Sequence, residues 1–383
     1  MKDRPFLILA VTTVILVIAA WVATVQRLPE TVLERRILYP DLLAGINDVA
    51  RLEISSKDEH TTLRQEDGRW IIENRGGYPA MFEEIKRTLV NVADLKVREG
   101  KTSKPELYSK LSVEDLDQPD AQSIRLTLQD DAGEVLADLL VGKQPTSTAN
   151  RDLASLYVRP VGQKQALLVD GELRVSADPS DWLDNNLLNI DASRLATMRI
   201  KHPTGEEVVI EKPDPVATDY DLAGIPEGKE VKSKSLLNSQ MTVLSDLRFD
   251  DVFPAADLDF PESTAIQSRL QAFDGLIVKV ETADTDVGTL SRFSFSAEPG
   301  LQRDTESSQD GERGIEDKHK SVADEVSELN ERVSGWLYKL PEFQVKKLSR
   351  TTDELLRDES QAPTAATPSS LEQDPQQQPP HLQ

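Results

Sequence analysis

The chain has no cysteine, only four histidines and few aromatic residues, and its charge is heavily skewed toward acid. Without cysteine there is no thiolate nucleophile, no sulfur-ligated zinc and no disulfide staple. The histidines (His60, His202, His319 and His381) are scattered, with no His-x-x-x-His or Glu-x-x-His spacing. No transition-metal site is therefore expected, and no cofactor. A Gly-x-Ser-x-Gly motif is also missing, so nucleophilic hydrolysis has no assembled serine, base and orienting group. The net charge of −23 repels phosphate, which excludes nucleic acid as the natural partner.

One stretch is present that nothing else in the chain resembles. Pro5–Val25 carries no charged side chain and is bounded by Lys2 and Arg4 on one side and Arg27 on the other. At about 1.5 Å per residue it makes roughly 31 Å of helix, the thickness of a bilayer's hydrocarbon core. Thr12, Thr13 and Thr24 can bond back to their own helix, and Trp21 suits a lipid–water boundary. The run is longer than a signal-peptide core, and around Ala19–Ala23 no small-x-small cleavage site stands out. The segment is read as an uncleaved anchor in the inner (cytoplasmic) membrane. The short tail stays inside, and the body lies in the periplasm or outside. Residues 1–27 carry +2 (Lys2, Arg4 and Arg27 against Asp3), which leaves −25 on that body.

The body reads as the same sentence twice. Val49–Ile54 alternates apolar and polar residues, and so does Leu195–Ile200. Each runs through a polar turn (Ser55–Asp58, Lys201–Gly205) into a second alternating strand, Thr61–Gln65 or Glu207–Lys212. Gly68–Glu73 predicts a third strand in the first copy. Phe82, Ile85, Leu89 and Val92 then predict a helix with one apolar stripe. The second copy has Tyr220–Leu222, then Leu236, Leu237, Met241 and Leu244 at helical spacing. Both helices close on a similar phrase, Val92-Ala-Asp-Leu-Lys-Val97 and Leu244-Ser-Asp-Leu-Arg-Phe249. A second hairpin follows in each: Ser123–Leu128 with Val135–Val141, and Ile266–Ala272 with Leu276–Glu281.

Between the copies, Ser155–Pro160 and Gln165–Val169 predict two further strands, and Ser180–Asp184 a short helix. Past the second copy, Arg303–Lys320 is charged and aperiodic, and Val322, Val326, Leu329, Val333 and Leu337 predict a last helix stopped near Pro341. Asp358–Gln383 holds five prolines and six glutamines, a composition expected to stay disordered. The fold class is α+β: a transmembrane helix, then two tandem repeats of an antiparallel sheet with helices on one face. The expected boundaries are 1–27 tip and anchor, 28–48 membrane-proximal linker, 49–190 first repeat and 191–300 second repeat. Beyond these come 301–320 charged loop, 321–357 helical segment and 358–383 tail.

Several phrases together carry a resemblance. Tyr39–Leu43, Ile46–Ile54, Gly68–Trp70, Tyr78-Pro79, Lys104–Tyr108, Leu111–Asp115, Val169–Gly171, Asp181–Leu183 and Trp336–Pro341 are involved. The chain resembles the bacterial family called domain of unknown function 4340, from about residue 35 to 356. The resemblance implies a membrane-anchored exported protein, often encoded beside the permease, ATPase and auxiliary subunits of an ABC transport system related to gliding-motility proteins. It implies no catalytic residues.

Candidate sites are weak in the sequence. Gly133 to Gly142-Lys143 lacks Walker spacing and reads as a strand-ending turn. The acids Asp246, Asp250, Asp251, Asp257 and Asp259, and Asp284 with Asp286, lack a calcium-loop ladder and read as turns and wet faces. His202 reads as a hairpin-turn residue. Trp70 and Trp182 read as core anchors, whereas Trp336 and Tyr338 are the candidate partner surface. The expected function is a non-enzymatic accessory subunit of an ABC-type transport system, held by its membrane helix and touching the permease or an auxiliary subunit. The alternative is a tethered binding protein for a cell-envelope glycan or peptide, with its ligand in the groove between the copies.

Overall fold

The computed structural model describes residues 36–145, 154–298 and 321–359 and divides into two compact units, one up to Asp184 and the other from Asn185. Both are α+β and mostly antiparallel. The expected anchor, most of the expected charged loop and nearly all of the expected tail lie outside the described residues. Among the described residues no helix is long and apolar enough to cross a membrane.

Unit 1 is a nine-stranded sheet. Its strands are β1 (Val49–Ser55), β2 (His60–Glu66), β3 (Arg69–Ile72), β4 (Tyr78–Pro79), β5 (Lys96–Thr102), β6 (Ile124–Asp130), β7 (Val135–Val141), β8 (Ser155–Pro160) and β9 (Ala166–Asp170). Their order is β4-β3-β2-β1-β6-β7-β8-β9-β5. Helix α1 (Phe82–Ala93) links β4 to β5, so the chain crosses from one edge of the sheet to the other. It buries Ile85, Leu89 and Val92, but Phe82 is 53% exposed. The expected stripe thus loses its first member, which sits at the first helical position, short of the buried face.

Residues 36–48 are not a free linker. Leu38 N–H donates to Leu95 O (2.7 Å) and Val97 N–H to Arg36 O (2.8 Å), laying the entering chain along β5. Tyr39 donates its hydroxyl to Asp138 O (2.9 Å), and Leu42 is buried. Burial of the Tyr39 ring pushes its pKa up to about 12, against the lowering effect of that hydrogen bond.

In unit 2 the strands are β10 (Asn186–Leu188), β11 (Leu195–Lys201), β12 (Glu207–Glu211), β13 (Asp221–Leu222), β14 (Lys229–Val231), β15 (Leu247–Arg248), β16 (Asp251–Pro254), β17 (Ile266–Ala272), β18 (Leu276–Thr285), β19 (Gly288–Ala297), β20 (Trp336–Lys339) and β21 (Leu356–Asp358). Eight of them form a sheet in the order β13-β12-β11-β17-β18-β19-β20-β16, and β10 pairs with β15 and β14 with β21. The helices are α2 (Lys234–Met241), α3 (Val322–Val333), α4 (Glu342–Leu348) and α5 (Thr352–Leu355). Ser233 caps α2 by accepting from Leu236 N–H (3.1 Å), and Ser321 caps α3 by accepting from Asp324 N–H (3.1 Å).

The first strand of each large sheet hides an irregularity. The pairing of β1 with β6 slips between Val49 and Arg51, and that of β11 with β17 between Leu195 and Thr197. Each slip is a β-bulge, which inserts one residue and turns the following side chains over. Hence Val49, Leu52 and Ile54 are all buried, as are Leu195, Met198 and Ile200, although the first step in each set spans three residues.

Three expectations change here. The boundary between units falls at Asp184 rather than 190, because Asn186–Leu188 already pairs with Leu247–Arg248. The last helix stops at Val333: Gly335 takes φ +83°, and Leu337 enters a strand instead of a fourth helical turn. Gly288–Ala297, unassigned from the sequence, is a full strand that buries Leu290, Phe293 and Phe295.

Candidate functional site

The best-formed recess in unit 1 is built by the crossing between β5 and β6. Pro105–Lys110 makes a 3-10 helix, with Pro105 at its start, where a missing N–H costs nothing. The chain then turns at Ser112, whose φ is +55°. It is pressed against the end of β7 at Gly142, and Lys143 N–H donates to Leu111 O (3.1 Å). A Cβ at position 142 would collide with Leu111 O and lie 2.7 Å from Val113 Cγ1 and 2.9 Å from Ser112 O. Close backbone approach, and not phosphate binding, accounts for this glycine.

Arg159 of β8 pins the crossing from beneath. Its side chain is only 5% exposed. Nε donates to Val113 O (2.9 Å), Nη1 to Gln163 O (3.1 Å) and Nη2 to Asp115 Oδ1 (2.6 Å). The guanidinium carbon lies 4.5 Å from the Tyr108 ring centroid, and Tyr108 donates its hydroxyl to Lys164 O (2.6 Å). A buried cation is tolerated here because every edge of the fork is engaged and an aromatic face covers it.

Above this floor lies a cleft of about 410 Å³, within the range of small-ligand sites, rimmed by Glu106, Asp115, Gln118 and Asp120. Glu114 lines it too, though the residue is 6% exposed. Its Oε1 accepts from Gln122 N–H (2.9 Å), while its buried Oε2 has no hydrogen-bond partner among the described residues. Four carboxylates facing one recess against a single paired guanidinium make the cleft strongly electronegative.

Comparison with known proteins decides kinship. Residues 70–265, just over half of the chain, match the family described as Domain of unknown function (DUF4340). The chain belongs to that family. No curated protein and no solved structure matches it. The match contains the whole cleft, so the recess lies in the DUF4340 portion itself. The sequence phrases before Gly68 and at Trp336–Pro341 fall outside the matched span.

The residues singled out from this DUF4340 sequence are dispersed. Tyr338 is not at a surface: it is fully buried, with ring centroids of Phe249 and Phe293 at 5.1 and 5.8 Å. As a β20 residue it takes the inward register, so the expected partner surface loses it. Trp336, two positions along, is half-buried. Trp70 and Trp182 are buried, Trp182 donating from Nε1 to Ser176 O (2.9 Å). His202 stands at the β11–β12 turn, where its N–H donates to Glu206 O (2.9 Å). Asp284 accepts from Thr289 Oγ1 (2.6 Å) across the β18–β19 hairpin. Among the described residues, no group of three or more acidic, histidine or cysteine side chains could hold a metal.

Sequence reasoning passed over Glu114, Asp120 and Arg159. The available signal was Arg159 itself, a charge inside the otherwise apolar-flanked strand Ser155–Pro160.

Proposed function

We propose that this protein is a non-enzymatic accessory subunit of an ABC-type transport system. Pro5–Val25 anchors it in the cytoplasmic membrane, with the body on the outer side, touching the permease or an auxiliary subunit. We further take its two units as copies of one duplicated α+β repeat. Corresponding strand orders and bulges at matching positions support that reading.

One observation carries the anchored reading. The first described residues, Arg36–Leu38, pair directly with β5. Only eleven residues separate Val25 from Arg36, a span of at most about 40 Å when fully extended. A body held that close to the bilayer is placed to meet a membrane-embedded partner rather than to range freely. Purification of the full-length protein from mild detergent after cross-linking tests this. The expected result is recovery of a permease or auxiliary membrane protein. Recovery of neither, or a C-terminal reporter found in the cytosol, removes the reading.

The acidic cleft favours a second reading, a tethered binding protein for a cell-envelope glycan or peptide. Saturable binding that responds to changes in the cleft would support it over the first.

A further inference from the structure

We infer that the cleft of unit 1 takes a chain carrying protonated primary amines, either a short diamine or a lysine-bearing peptide segment. This rests on the second reading above, that the protein binds a ligand, and adds the ligand's chemistry and its seat. Three observations combine. The first is charge: Asp115 is paired with Arg159, but no cation lies within ion-pair distance of Glu106, Glu114 or Asp120 among the described residues. The second is the buried Oε2 of Glu114, an acceptor with nothing to accept from. A buried carboxylate oxygen without a donor is a standing penalty, relieved when a donor arrives from outside.

The third observation selects among cations and against sugars. No three ligating side chains converge on one point, so a compact metal ion has no cage. Acids spaced along a cleft of about 410 Å³ suit ammonium groups strung on a flexible chain. A sugar wants an open aromatic face, but Tyr108 is 5% exposed and Arg159 already covers its ring. Gln118 and Ser109 supply neutral hydrogen-bonding groups beside the charged ones.

The test is calorimetric titration of the full-length protein in mild detergent with 1,5-diaminopentane, trilysine and an uncharged N-acetylglucosamine oligomer. The amine probes are expected to bind saturably and to weaken as salt rises. The tighter of the two identifies the source as free diamine or peptide. Glu114→Gln, which keeps the carbonyl that accepts from Gln122, should weaken binding at least tenfold. Asp120→Asn, on the exposed rim, should weaken it severalfold, whereas Glu172→Gln, outside the cleft, should leave it unchanged. Thermal melts of each variant identify any that fails to fold, and the exposed Asp120→Asn keeps the test decisive in that case. Absence of amine binding, or amine binding indifferent to both cleft variants, overturns the inference. If the neutral oligomer binds and Glu114→Gln weakens it, the binding reading survives while the amine chemistry fails. If nothing binds, both fall.

Discussion

The two units run their chains through the same strand order and then spend their insertions differently. In unit 1 the order β3-β2-β1-β6-β7-β8-β9-β5 corresponds to β13-β12-β11-β17-β18-β19-β20-β16 in unit 2. Even the entering segments agree: Val97 N–H donates to Arg36 O, and Phe249 N–H to Asn185 O (3.3 Å). What differs is where extra chain is placed. Unit 1 elaborates the crossing from β5 to β6, which becomes the cleft. Unit 2 elaborates the step from β19 to β20, where α3 packs on β19 through Asn330, which bonds both N–H and C=O of Phe295. A shared sheet therefore tolerates additions at different crossings, and the addition decides what each unit can do.

The largest effects should come from the bulged strands. Leu52→Ala and Met198→Ala each empty a fully buried position of a first strand, and each should lower stability by about 2–5 kcal/mol. Hydrogen exchange should show each loss confined to its own unit. Spread of both losses over the whole chain would mean that the units unfold as one body, and the comparison by parts would fail. Gly142→Ala has no counterpart in unit 2. It should destabilise unit 1 by about 1–3 kcal/mol through overpacking, with the cleft segment 105–120 losing exchange protection first.

Arg194 ties α3 to its sheet. It donates from Nε to Asp274 (2.6 Å) and from Nη1 and Nη2 to the two Glu325 oxygens (2.8 and 2.6 Å), which raises its pKa against the opposing effect of burial. Replacement by alanine should cost about 1–3 kcal/mol, as for hydrogen bonds to charged groups. The loss should appear as weakened protection of Val322–Val333 alone, and a loss equally large in unit 1 would refute the local role.

Two smaller effects depend on pH. Thr352 N–H donates to Glu206 (2.7 Å), which holds that carboxyl below its ordinary value of 4.5. The unfolded chain then binds more protons near pH 4, so this contribution is present above 4.5 and fades as pH falls through the folded value. The α4–α5 segment of unit 2 should loosen first in acid, an effect that Glu206→Gln should flatten. At the alkaline end, burial raises both Tyr39 and Tyr220 to about 12, one in each unit. Here the folded state keeps protons that the unfolded state releases, so stability falls as pH climbs from 10 toward 12. Phenolate absorbance should show both rings titrating late; a ring that ionises near 10 would contradict its burial.

Most of the sheet was legible because alternation survives in strands with one wet face. Val135–Val141, Ser155–Pro160 and Ile266–Ala272 have the bounds their patterns predicted. The misses have physical causes. Gly288–Ala297 begins in a Gly-Thr turn and carries serines between its apolar residues, which mutes the pattern. Leu337 kept helical spacing from Val333, and only the left-handed Gly335 between them reveals the break. The cleft was illegible for a deeper reason. Residues 105–120 form no periodic element, and their arrangement depends on Arg159 and Gly142, which are distant in sequence. A side chain reaching across some forty residues leaves no local spacing to read.

The pairing of Arg36–Leu38 with β5 has a practical consequence for truncation. A fragment begun at Val49, where the first regular strand starts, would strip the cover from Leu95 and Val97 and leave bare backbone at the rim of the sheet. Such a rim recruits foreign strands, so that fragment should clump, whereas one begun a few residues before Arg36 should stay dispersed.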